Sequence, residues 1–149
     1  MWEWNGASWV DKTPAGTKPP ARREHAIAYD SQRGRLVLFG GMGGTGPLQD
    51  VWEWDGTSWL DRTLVGTKPS ARSLHTMALD SARAKVVMFG GVAGIIPMQD
   101  VWEWDGTSWV DKTPTGNKPA ARFGHAMAYD STRARVVVFG GNVNPAHAQ

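Results

Sequence analysis

The sequence predicts an all-β fold made of one repeated sheet, and three observations predict it. The nonapeptide VWEWDGTSW stands at Val51–Trp59 and again at Val101–Trp109, and the chain opens on a near copy, MWEWNGASW. The steps from Trp2 to Trp52 and from Trp52 to Trp102 are both 50 residues, and Val51–Gly91 matches Val101–Gly141 at 28 of 41 positions. A period near 50 residues points to a propeller or a solenoid. Nine Trp and eighteen Gly among 149 residues join a large apolar filler to a turn former, which suits stacked sheets.

Composition bounds the function classes. The chain is 41% hydrophobic and 20% charged, as expected of a globular domain. Its net charge is +2 with no run of like charges, so nucleic acid is not an expected partner. The absence of Cys excludes disulfides, thiolate metal sites and cysteine nucleophiles together. No apolar run approaches the roughly 18 residues of a membrane span, and the N-terminal MWEWNGASWV lacks the features of a signal peptide.

Each unit contains four strand-like pieces. The first is HTMALD (His75–Asp80), with counterparts at His25–Asp30 and His125–Asp130. Alternation puts His125, Met127 and Tyr129 on one face and Ala126 and Ala128 on the other, where small side chains would admit a neighbouring sheet. A turn-forming DSAR leads to the second piece, KVVMF (Lys85–Phe89), apolar throughout and stopped by Gly90–Gly91. That pattern fits a strand covered on both faces, although so short a run does not by itself exclude a buried helix. The third and fourth pieces, DVWEW and SWLD, flank Asp55–Gly56, a hairpin signal. Trp52 and Trp54 lie two apart and share a face. An even loop adds Trp59 to that face; a three-residue loop with a bulge sends it to the other. We expect the even loop, with three indoles packed against the next sheet, each worth roughly 1.5–3 kcal/mol or more on burial.

The Gly-Gly doublets at 40–41, 90–91 and 140–141, each following a second strand, together with a spacer, DVWEWDG and a spaced Trp, resemble the kelch motif across essentially the whole chain. The Arg-x-x-His-Ala opening of the third unit (Arg122, His125, Ala126) resembles bacterial versions of it. The resemblance implies four-stranded blades around an axis. In that frame the chain holds a half blade at residues 1–13 (strands three and four), blades at 21–63 and 71–113, and a half blade at 121–141 (strands one and two). A single chain closing on itself would make three blades, below the four to eight usual for propellers. Two chains joined head to tail make six. The expectation is a homodimer with one six-bladed ring and swapped half blades. Strong internal identity and a boundary at a repeat joint favour an excised or engineered segment.

The repeated Arg22, His25, Arg72, His75, Arg122 and His125 suggest two roles. They could form an anion or sugar site at the mouth of an axial channel, or they could bond within and between blades, with Glu3, Glu53 and Glu103 as partners for Arg. The second is the usual role of a repeated residue in a repeat protein. No second ligand stands close in sequence to the histidines, so no metal is expected. The spacers between strands two and three, MGGTGPLQ, VAGIIPMQ and NVNPAHAQ, vary most. Among them Ile95, Ile96, Pro97 and Met98 form an apolar loop that either contacts a partner or tucks under a neighbouring blade. No nucleophile elbow, His-Glu-x-x-His or phosphate loop is present. The chain therefore reads as a non-catalytic scaffold without a cofactor.

Overall fold

A computed structural model of the chain describes residues 1–143. It is built of antiparallel sheets. The first is two-stranded, β1 (Trp2–Trp4) and β2 (Trp9–Asp11). A four-stranded sheet follows: β3 (Ala26–Asp30), β4 (Arg35–Met42), β5 (Pro47–Trp54) and β6 (Trp59–Asp61), in sequence order. A second four-stranded sheet comprises β7 (Thr76–Asp80), β8 (Lys85–Phe89), β11 (Val101–Trp104) and β12 (Trp109–Asp111). Between β8 and β11 the chain makes a minimal hairpin, β9 (Val92–Ala93) with β10 (Ile96–Pro97). A two-stranded sheet, β13 (Ala126–Asp130) with β14 (Arg135–Phe139), follows.

The register decides which side chains share a face. Trp54 pairs with Trp59, so the intervening loop has four residues and the three indoles lie on one side of the sheet. Asp55 holds this loop, its Oδ1 accepting the Thr57 and Ser58 N–H groups at 2.8 Å each. Leu36 and Leu38 pair with Trp54 and Trp52 and join that side, while Val37 and Phe39 point the other way with Ala26 and Ala28.

The core lies between the two four-stranded sheets. Ala26, Ala28, Val37, Phe39 and Val51 of one sheet meet Met77, Val86, Met88, Trp102, Trp104 and Trp109 of the other. Small alanines on the inner strand and large indoles on the outer ones let two twisted sheets fill the space between them. The Trp face therefore packs against the preceding sheet in the chain, not the following one: Trp109 meets Phe39 at 5.3 Å and Trp104 Nε1 donates to Glu53 at 3.2 Å. Strict alternation specifies two faces but not which neighbour each one meets.

Backbone bonds fix the sheets to each other. The Gly41 N–H donates to the Arg72 carbonyl at 2.9 Å, and the Arg72 N–H to the Leu48 carbonyl at 3.1 Å. Fifty residues on, Gly91 donates to Arg122 at 2.9 Å and Arg122 to Met98 at 3.0 Å.

Candidate functional site

The repeated Arg and His side chains flank a backbone reversal just before each inner strand. Glu24 and Leu74 hold φ at 57°, and Gly124 at 63°. The reversal sends Arg into its own sheet and His towards the preceding one.

Arg72 is fully buried and grips Asp100 with both terminal nitrogens, at 2.6 and 2.7 Å. It also donates to the Gly90 carbonyl at 3.0 Å. Arg22 holds Asp50 in the same way, at 2.7 and 2.6 Å. Trp52 and Trp102 complete the carboxylates by donating Nε1–H at 2.7 Å. Burial alone would raise the pKa of Asp50 and Asp100, but the bonds from Arg and Trp outweigh it and hold both below the usual carboxylate range. This clasp ties the lead-in to the first strand to the start of the third. Arg122 donates to the carbonyls of Gly140 at 2.7 Å and Ala120 at 3.1 Å, and no carboxylate among the described residues reaches it.

The histidines pack edge-on against phenylalanines of the preceding sheet, His75 on Phe39 at 5.5 Å and His125 on Phe89 at 5.2 Å. Burial, reinforced by Arg72, pushes the His75 pKa down to about 3, so its ring is neutral at pH 7. Burial and the adjacent Arg lower His25 and His125 as well. His125 Nε2 shares a 2.6 Å hydrogen bond with Thr76 Oγ1. No side chain bonds either ring nitrogen of His75, whose polar neighbour is the Phe39 backbone.

The glutamates serve other arginines than those expected: Glu53 binds Arg62 at 3.0 Å, and Glu103 binds Arg83 at 2.6 Å. The aspartates that clasp Arg22 and Arg72 carry a signal in the sequence, a constant spacing of 28 residues from each Arg, but every charged position in a repeat shows equal regularity. Among the described residues no cluster of three or more His, Asp or Glu side chains could hold a metal. Ile95 and Ile96 are exposed at the tip of β9–β10, while Pro97 and Met98 are half-buried and the Met98 carbonyl belongs to the backbone bonds between sheets. Most of the spacer at 142–149 lies outside the described residues.

Repeated antiparallel sheets, glycine doublets at the sheet joints and tryptophans between sheets define a kelch-repeat protein, all-β and consistent with propeller blades. The chain belongs to the family of Kelch-repeats domains described as KLHDC2/KLHL20/DRC7, whose family model matches residues 1–147. No curated protein matches it significantly. Kelch repeats generally mediate protein interaction and scaffolding, and kelch domains are typically non-enzymatic.

Proposed function

We propose that this chain is a non-catalytic kelch scaffold that assembles by completing its own sheets, two copies forming one six-bladed ring. One observation carries the reading. Trp2, Trp4 and Trp9 are 61%, 54% and 64% exposed, whereas Trp102, Trp104 and Trp109, at the same positions of the repeat, are 9%, 0% and 3% exposed. Three indoles in water at positions that elsewhere make the core mark an unsatisfied interface. The assembled scaffold would present its variable loops to a protein partner, with Ile95 and Ile96 as the apolar contact.

A second reading, an anion site among the repeated Arg and His residues, draws support from Arg122 alone, since Arg22 and Arg72 are committed to carboxylates. A thermal-shift screen with phosphate, sulfate, simple sugars and divalent cations separates the two. The scaffold reading expects no stabilisation beyond that of matched ionic strength. Stabilisation by phosphate that disappears in Arg122→Ala would favour the second reading.

A further inference from the structure

Resting on that self-assembly, the structure assigns the residues and the register of the joint between copies. We infer that β14 of one copy pairs antiparallel with β1 of the other, with Val138 opposite Trp2, Val137 opposite Glu3 and Val136 opposite Trp4.

Both four-stranded sheets supply the template. β4 and β5 pair Leu38 with Trp52, Val37 with Glu53 and Leu36 with Trp54. β8 and β11 pair Met88 with Trp102, Val87 with Glu103 and Val86 with Trp104. Moving the second set on by one period gives the proposed register. Among the described residues β14 has no sheet neighbour but β13, and β1 none but β2. Each therefore offers an open edge, one ending a first-and-second-strand pair and the other beginning a third-and-fourth-strand pair.

The faces match as well as the edges. Beyond the second four-stranded sheet lies an apolar cavity of about 230 Å3, whose walls include Val87, Phe89, Val101, Met127 and Val138. The corresponding wall of the first four-stranded sheet, Val37, Phe39 and Val51, is covered by Trp102, Trp104 and Trp109. The occupant that fits is a set of indoles with the same spacing and arrangement. Trp4 and Trp9 already hold it: their rings lie 5.6 Å apart and tilted by 52°, against 5.4 Å and 47° for Trp104 and Trp109. Seated there, Trp9 would meet Phe89 as Trp109 meets Phe39.

The reverse side repeats the argument. Phe139 is 82% exposed, whereas Phe39 and Phe89 are 0% and 3% exposed. Phe39 is held between His75 and Trp109. One period earlier those two partners are His25 and Trp59, which line a cavity of about 200 Å3 with Ile27 and Leu38. Phe139 of the second copy is the side chain that would fill it. The joint thus buries on each copy aromatic groups that are exposed in the single chain.

The chain has no Cys, so introduced thiols report without background. Val137 and Glu3 are both exposed in the single chain, and their substitution leaves the core between the four-stranded sheets intact; circular dichroism of each variant, and the mass of the unsubstituted protein refolded the same way, check this. Val137→Cys and Glu3→Cys are prepared separately, mixed in denaturant, refolded together and oxidised in air. A disulfide-linked species of twice the chain mass, formed in the mixture and in neither variant alone, is the expected result. Val138→Cys with Glu3→Cys places the thiols on opposite faces and is expected to give none. If the refolded protein has the mass of two chains without the Val137–Glu3 disulfide, the register is overturned while self-assembly stands. If it has the mass of one chain, both fall.

Discussion

His75 is a buried ring that the repeat leaves half-equipped. The neighbouring repeat shows what is absent: His125 bonds Thr76 Oγ1, and the position that faces His75 in the same relation is Ala26. A buried polar atom without a partner costs about 1–3 kcal/mol. Ala26→Thr is therefore expected to stabilise the fold by about 1 kcal/mol, read from urea unfolding at pH 8; a loss of stability would show that the tight inter-sheet space, not the bond, decides. The same ring makes the fold acid-sensitive. Its folded pKa of about 3 lies below the unfolded value near 6.5, so the unfolded chain takes the proton first. The stability its neutral form contributes is whole above about pH 6.5 and falls with acid towards about pH 3, by at most about tenfold in the folding constant per pH unit. Between about pH 6.5 and 5.5, above the ordinary carboxylate range, His75→Phe is expected to flatten that slope.

At the scale of the element, the glycine doublet decides how one sheet meets the next. Gly90 sits at φ 64°, and a Cβ there would lie 2.6 Å from the Arg122 carbonyl of the following sheet. Gly140 has φ 73° but open space around its Cβ position in the single chain. Gly90→Ala is expected to cost more than about 2 kcal/mol through clash and left-handed strain together. Gly140→Ala should cost about 1–2 kcal/mol in a single chain, and it should also weaken association, because the carbonyl of Arg22 from a second copy would stand where Arg122 stands for Gly90. Urea unfolding of both variants, with the mass of Gly140→Ala followed on dilution, checks the pair; unchanged association would count against the joint. Much at this scale was legible in the sequence. The four strand-like pieces and the alanine face follow from alternation, and Asp55–Gly56 marks the hairpin; that its loop is the expected even one is decided by the Trp54–Trp59 register. The direction in which the Trp face points was not legible, since it depends on the order of sheets in space. Nor was the carboxylate that clasps Arg72: Asp100 and Glu103 are equally periodic, and only the backbone reversal at Leu74, which aims the guanidinium into its own sheet, distinguishes them.

At the scale of the molecule, the protein is one finished inter-sheet contact, between the two four-stranded sheets, flanked on either side by a two-stranded sheet and an unfilled cavity. Family and sheet architecture were legible because a 50-residue period with Gly-Gly and Trp at fixed places leaves few alternatives. Whether copies complete one another, as proposed, is a different kind of question, since it turns on whether exposed edges and faces find each other at working concentration. Six sheets from two copies would cover the indoles of Trp2, Trp4 and Trp9 and pair the open edges of β1 and β14, leaving only the short inner and outer edges of each sheet. The most direct test is the mass of the folded protein in solution, by sedimentation or light scattering at micromolar concentration. A discrete species of about twice the 16.3 kDa chain mass is the expected result. A well-folded particle of one chain mass, with Trp2, Trp4 and Trp9 still open to an aqueous quencher, would contradict it.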